Sequence, residues 1–352
     1  MYPRLVIDMP KLSHNIGFIK QRLEKHGINV VPVTKVFRSM PELIQLYIEH
    51  GIETISDSRM ENLEQLDLPV KKLLLRLPML SQIERVVKGS DQALVSELAV
   101  IQALDEAAVR LDKDYGLILM IDLGDLREGV LVEQLDQFLQ DLPPLKRARF
   151  EGIGTNLTCY GGVLPTHENL SQLVDCHARL EQHLDYKVPI ISGGNTSSLY
   201  LLDEDKVPKD INMLRIGEAI VLGHDSSLNN RLPGMHHDAF TLEAELIEVK
   251  EKPSLPWGVI GRDAFGAVPT HQDRGMMLRG ILAFGKQDVV FDYLVPNQPV
   301  EFMGASSDHT IVDLKYGDYQ VGDILTFTMS YAGLLQLMTS DYIEKVCRYE
   351  AR

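Results

Sequence analysis

From Val30 to about Gly223, short β-branched apolar runs alternate with amphipathic stretches about eight times, and few folds accommodate that rhythm. Strands are expected at Val30–Thr34, Thr54–Ser56, Lys72–Leu77, Ala93–Ser96, Leu117–Asp122, Phe150–Thr155, Pro189–Ser192 and Met213–Ile216. Between them, Pro41–His50, Gln82–Val87, Glu97–Leu111, Val132–Leu139 and Leu170–Leu184 repeat apolar residues at three- and four-residue steps, the period of a helix. Parallel neighbours need a crossover helix, so about eight β-then-α units point to a closed (β/α)8 TIM-type barrel, with an open doubly wound sheet as the other solution. Past Asn230 the texture changes. Ala239–Val249, Arg279–Phe284, Val300–Met303, Thr310–Leu314 and Ile324–Met329 are strand-like and separated by Gly-Asp and Pro turns. The expected organisation is a barrel domain over residues 8–228 and a smaller, mostly β C-terminal domain over 229–352. The leading strand, within residues 1–7, precedes the first helix, Lys11–Leu23, and is placed to join the β domain.

A length of 352 residues suits one barrel plus a small partner domain, and 45% hydrophobic with 24% charged residues is ordinary globular composition. A net charge of −15 repels phosphate, which argues against nucleic acid and anionic membrane surfaces as partners. Cys159, Cys176 and Cys347 are odd in number and widely spaced, a pattern of neither a disulfide scaffold nor a zinc site. With no signal-like N-terminal segment and no long apolar stretch, a cytoplasmic location is expected.

In a parallel barrel the C-terminal strand ends converge on one mouth. The run Asn29-Val30-Val31-Pro32-Val33-Thr34 delivers Lys35 there, and later runs deliver Arg76, Arg127, Asn156, the Ser192–Ser198 segment and Arg215. A lone strand-end lysine is an ordinary surface feature; its company is what matters. Ser192-Gly193-Gly194-Asn195-Thr196-Ser197 can present backbone N–H groups and hydroxyls to a phosphate, although such clusters also form plain turns. An amine, a phosphate cradle and arginines in one mouth fit pyridoxal 5′-phosphate, with no metal.

The ordered segments Pro32–Lys35, Asp122–Gly129, Phe150–Asn156, Ser192–Ser198 and Leu214–Glu218 resemble those of the alanine racemase superfamily, the fold-type III pyridoxal phosphate enzymes. Asp122–Gly129, Asn156–Gly161, Gly304–His309 and Glu251–Pro256 are similar to its alanine/ornithine racemase branch, and most of all to ornithine racemases. The resemblance implies that Lys35 is the Schiff-base lysine and a base on one face of the cofactor. It also implies that Arg215 hydrogen-bonds the pyridine nitrogen. Asn195, Thr196, Ser197, the Gly217 backbone and Tyr331 align with phosphate ligands, and Asn156 with a cofactor contact. Arg127 matches the arginine beside the cofactor's phenolic oxygen and the substrate carboxylate, and Asp125, Tyr160, Ser306 and Ser307 complete the expected substrate side.

The pattern fails at one point. Alanine racemases proper carry a catalytic tyrosine in a Gly-Tyr-x-Asp turn donated across a dimer interface, and this chain reads Gly285-Lys286-Gln287-Asp288. Asp308 with His309, Tyr160 and Lys286 are the candidate second bases; the Asp308–His309 pair is favoured, because imidazole titrates near neutrality. For a distal substrate ammonium, Asp125 and Asp308 are the available acceptors. The expected activity is racemisation of a basic amino acid, ornithine before lysine or alanine, by a homodimer sharing its site between barrel and partner β domain. A metal-assisted aldolase or dehydratase of D-3-hydroxy amino acids and a non-catalytic pyridoxal phosphate carrier are the competing readings.

Overall fold

The computed structural model describes residues 1–263, 265–268 and 270–350. The chain divides into two compact units, one of residues 13–236 and one joining 1–12 to 237–352.

In the first unit, strands β2 (Asn29–Pro32), β3 (Thr54–Asp57), β4 (Lys71–Leu74), β5 (Gln92–Val95), β6 (Tyr115–Asp122), β7 (Ala148–Gly154), β8 (Ile190–Ser192) and β9 (Met213–Ile216) form a parallel sheet. Its order is β2-β9-β8-β7-β6-β5-β4-β3, and a parallel bridge from Val33 to Ser56 joins the two ends. Thr34 N donates to Ser56 O at 2.8 Å on the same seam, so the sheet is a barrel and not an open layer. The interior follows strand periodicity: Val31, Leu73, Leu94, Ile118, Met120 and Met213 form one cluster. All eight residues of β6 are buried, the mark of a strand covered on both faces. Helices cover the outside. The helix Leu98–Arg110 turns Ile101, Leu104, Ala107 and Ala108 inward at helical spacing. The helix His167–Leu184 starts at a capping box of Thr166 and Asn169 and buries Leu170, Leu173, Cys176 and Leu180. Each large aliphatic side chain so buried contributes about 1.5–3 kcal/mol.

Two expectations need correcting. The Val132–Leu139 stretch is not one helix: a 3-10 turn, Val132–Gln134, precedes a short α-helix, Leu135–Gln140. Lys35 is not the last residue of a strand either. The strand ends at Pro32, and Lys35–Phe37 form a single 3-10 turn. Thr34 directs its hydroxyl to Ser56 O, Asp57 and Ser39, and this draws the chain into a turn.

The second unit is built on β10 (Phe240–Pro253), whose register shifts between Leu246 and Glu248. Before the shift β10 pairs antiparallel with β15 (Ile324–Met329) and with β1 (Arg4–Asp8); around and beyond it, with β11 (Met276–Leu282). A bulge bends a strand, which lets one long strand serve two sets of partners. Strand β12 (Leu294–Pro296) extends one side through β15; β14 (Thr310–Asp313) and β13 (Glu301–Ala305) extend the other through β11. Strand β1 also pairs, in parallel, with the last strand, β16 (Glu344–Arg348). Phe240, Leu242, Phe284 and Phe327 are buried in this unit. Among the described residues no helix is long and apolar enough to cross a membrane.

Candidate active site

The barrel mouth is assembled around the seam that closes the sheet. After Thr34, the turn Lys35–Phe37 runs into Arg38 and Ser39, both in the left-handed region at φ 57° and 49°. Such residues persist only where surroundings hold them. Here Ser39 Oγ and Thr34 Oγ1 lie 2.9 and 3.0 Å from Asp57 Oδ2. The other carboxylate oxygen accepts from Arg59 N at 2.9 Å and Asn62 Nδ2 at 3.0 Å. Burial pushes the Asp57 carboxyl up from its ordinary value, opposed by these four donors. Lys35 itself is partly buried, and Val33, two residues before it, donates to Ile216 O at 2.8 Å on the neighbouring strand.

Arg215 lies two residues after the interior Met213 and is 3% exposed. Its guanidinium donates to Ser192 Oγ and, at 2.6 Å, to Thr155 O. Burial pulls its pKa down to about 10, with Glu128 and Cys159 acting in the other direction, so it stays cationic at neutral pH. Gly154 makes the room: a Cβ there would lie 3.2 Å from Ser192 Cβ and 3.3 Å from Arg215 Nη1. Glycine recurs at Gly194, whose φ of +106° turns the chain after β8. In the turn that follows, Asn195 Oδ1 accepts from Ser197 N at 2.9 Å, and Asn195 Nδ2 reaches Asn156 Oδ1 at 3.2 Å and Cys159 Sγ at 3.5 Å. Thr196 Oγ1 accepts from Ala219 N at 3.4 Å, two residues beyond Gly217. Three buried polar atoms in this cluster, Thr155 Oγ1, Asn156 Nδ2 and Ser197 Oγ, have no hydrogen-bond partner in the protein. Buried polar atoms are seldom left so unless a ligand or water completes them.

Arg127 is half-exposed and forms an ion pair with its neighbour Glu128, which holds its pKa above the ordinary guanidinium value. Asp125, expected to face a substrate ammonium, is instead 1% exposed, and its oxygens accept from Tyr160 N at 3.0 Å and Val163 N at 3.3 Å. That carboxylate fastens the 158–163 loop and has little left to offer a ligand. The Tyr160 ring on the same loop is 75% exposed. Arg76 is exposed beyond β4.

The remaining candidates belong to the β unit. Asp308 Oδ1 lies 3.0 Å from His309 Nδ1 and accepts from Ser306 and Ser307 Oγ, each at 3.2 Å. The His309 bond is the main cause of the lowered Asp308 pKa. This turn is laced to the one carrying Lys286: Lys286 N donates to Ser306 O at 2.9 Å and Gln287 N to Ser307 O at 3.0 Å. The Lys286 ammonium lies 4.0 Å from the centre of the Phe265 ring. Tyr331 is the first residue of the helix Tyr331–Thr339.

Thr34, Ser39, Asp57, Thr155 and Glu128 line the candidate site without standing out individually in the sequence. Asp57 is the last residue of the strand Thr54–Asp57, so its place at a strand end is visible in the sequence even though its partners are not.

A family model described as "Alanine racemase, N-terminal domain" matches residues 7–225. Over 350 residues the chain is 44% identical to an ornithine racemase of Acetoanaerobium sticklandii, an alignment covering 98% of this chain and 99% of that protein. Over 355 residues it is 40% identical to a lysine racemase of Thermotoga maritima, covering 98% of each. An alanine racemase from Bartonella henselae, solved with covalently bound pyridoxal phosphate, superposes with a TM-score of 0.73 at 16% identity, covering 98% of this chain and 99% of that one; that likeness concerns the fold.

Proposed function

The chain belongs to the alanine racemase family, and from that premise we propose that it is a pyridoxal-phosphate-dependent racemase of a basic amino acid, ornithine first and lysine next. The observation that carries this reading is the 44% identity to an ornithine racemase along almost the whole of both chains. The barrel mouth fits the cofactor chemically: it holds a buried cationic Arg215, unpartnered Thr155, Asn156 and Ser197 atoms, and a glycine-bearing turn beside Gly217.

Lys35 would hold the cofactor through its amine and exchange the substrate's α-proton on one face. Bound pyridoxal phosphate supplies the electron sink that acidifies the α-carbon. Arg215 would face the pyridine nitrogen; as a guanidinium it keeps its own proton, which tempers the sink and disfavours side reactions. Asn195, Thr196, Ser197, the Gly217 N–H and Tyr331 would take the phosphate, and Asn156 would offer its free amide N–H. The planar fork of Arg127 suits the substrate carboxylate, which would compete with Glu128 for it. Asp125 is spent on the 158–163 loop. This leaves Asp308 as the favoured acceptor for a distal ammonium.

Racemisation needs a proton removed from one face and delivered to the other. For the second face we favour His309 with Asp308, supplied in a homodimer whose β unit covers the barrel mouth of the other copy; Leu126 at 67% exposure and Tyr160 at 75% on the barrel loops support such a cover. The test is to incubate the purified protein with single enantiomers of ornithine, lysine, alanine and serine and follow loss of optical activity. A higher kcat/KM for alanine than for ornithine would overturn the substrate assignment.

A further inference from the structure

The carboxyl of Asp57 bridges two consecutive strand-to-helix connections, and one of them carries Lys35. Its Oδ1 is taken by Arg59 N and Asn62 Nδ2, both from the connection after β3. Its Oδ2 faces Thr34 Oγ1 and Ser39 Oγ, which lie 2.7 Å from each other and flank the Lys35–Phe37 turn on either side. All three side chains are 0% exposed. Ser39 and Arg38 are consecutive non-glycine residues at positive φ, a conformation that a free loop would abandon. Within the turn Phe37 N reaches Thr34 O at 3.1 Å, but the bonds of the two left-handed residues are longer, 3.3 Å for Arg38 N to Lys35 O and 3.3 Å for Ser39 N to Thr34 O, so the side-chain network is the firmer constraint on that stretch.

We propose that Asp57 is a positioning residue for Lys35: with Thr34 and Ser39 it fixes the turn from which the Lys35 amine is presented at the barrel mouth. This rests on the reading of Lys35 as the cofactor-bearing lysine, although the geometry holds without it.

The hydrogen inventory says which form of Asp57 does this. Thr34, Ser39 and Asp57 Oδ2 are three oxygens separated by 2.7, 2.9 and 3.0 Å, and Thr34 Oγ1 also faces Ser56 O at 3.1 Å, so two hydroxyl protons serve four close contacts. A carboxylic acid proton on Asp57 would add one more, in the direction in which burial pushes this carboxyl. A neutral carboxyl also spares the buried pocket a charge. Asparagine has the same shape, with an amide donor in place of that acid, and should substitute for it.

The experiment uses Asp57→Ala, Asp57→Asn and Ser39→Gly in the full chain. Ser39→Gly matters because glycine adopts the positive φ without strain, so the variant keeps its fold while losing the hydroxyl. Two readouts are taken on the apoprotein: the rate of borohydride-trappable attachment of pyridoxal phosphate to Lys35, and the reactivity of Lys35 relative to the other lysines toward acetic anhydride, both mapped by mass spectrometry. Misplacement by about 1 Å costs on the order of 100-fold, so attachment in Asp57→Ala should slow by about that factor. Ser39→Gly should slow it about tenfold, and Asp57→Asn should stay within about threefold of the parent. In turnover, kcat should fall with KM nearly unchanged. Parent-like attachment and parent-like Lys35 acetylation in a folded Ser39→Gly protein would overturn the proposal, as would equal losses in Asp57→Asn and Asp57→Ala. If the parent chain attaches no pyridoxal phosphate at Lys35, the proposed function falls, while the acetylation pattern still decides whether Asp57 sets the exposure of that amine.

Discussion

The barrel mouth and the Gly304–His309 turn both carry groups fit to move a proton, yet they are held in different ways. At the mouth, Thr34, Ser39, Asp57 and Arg215 are buried and bonded across strands far apart in sequence. In the turn, Asp308 is exposed, and its carboxylate bonds to the residues beside it: Ser306, Ser307 and His309. A barrel fixes side chains by strand register, so a residue there is placed by the whole sheet. The turn is tied by its backbone to the Lys286 turn, but its reactive side chains are held locally and need a second surface over them before their geometry can matter to chemistry.

The hardest way to break this comparison is at Lys35. Lys35→Ala should reduce racemisation to background, a loss of at least about 10⁴-fold, with no borohydride-trapped adduct at any mouth residue. An adduct retained after that substitution would put the amine elsewhere.

Next comes the turn. His309→Ala should slow α-deuterium exchange by on the order of 10²–10³-fold for one enantiomer and far less for the other, with pyridoxal phosphate still attached. The same measurement on Tyr160→Phe and Lys286→Ala decides between the candidates: if only one of those shows the one-sided defect, the base is that residue. Sedimentation sharpens the result, since a monomer with full activity would remove the need for a second copy.

A stability comparison separates the regions directly. Gly154→Ala brings a methyl within 3.3 Å of Arg215 and of Ser192, and should cost about 1–3 kcal/mol in denaturant unfolding. Ser307→Ala in the exposed turn should stay within about 0.5 kcal/mol. Equal costs would mean that the turn is as constrained as the mouth.

The smallest effect is a pH dependence. Asp57 has a raised pKa in the folded chain, so its contribution to stability is fully present below the unfolded carboxyl value, about 4, and is lost as pH rises toward the folded value. Unfolding free energies of the parent should therefore fall over that window relative to Asp57→Asn. A constant difference between the two from pH 4 upward would contradict the raised value.

How far the sequence could be read depended on the range of the interactions involved. The barrel rhythm was legible because each strand writes its own burial pattern, as in the continuous apolar run of Tyr115–Asp122. The placement of Lys35 and Arg215 at the barrel mouth was legible because both stand beside strand ends. Asp57 was not, because its value lies in Thr34 and Ser39, which only the Val33–Ser56 register brings to it. Asp125 misled for the opposite reason. In a Gly-Asp-Leu-Arg turn it reads as solvent-facing, but backbone N–H groups from the next loop, at Tyr160 and Val163, draw it inward.

The strand at Arg4–Asp8 sets a schedule for the ribosome. Its neighbours are Phe240–Glu243 on one side and Glu344–Arg348 on the other, so a segment made first is paired last. At about 5–20 residues per second, the nascent chain carries that apolar strand without its full set of neighbours for on the order of half a minute, until the second one exists. Residues 13–236 have been synthesised well before then and can fold while the first strand waits. Slow codons between the two strands would lengthen the exposure, and the yield of intact protein in a cell should be more sensitive to Glu344–Arg348 than the small size of that strand suggests.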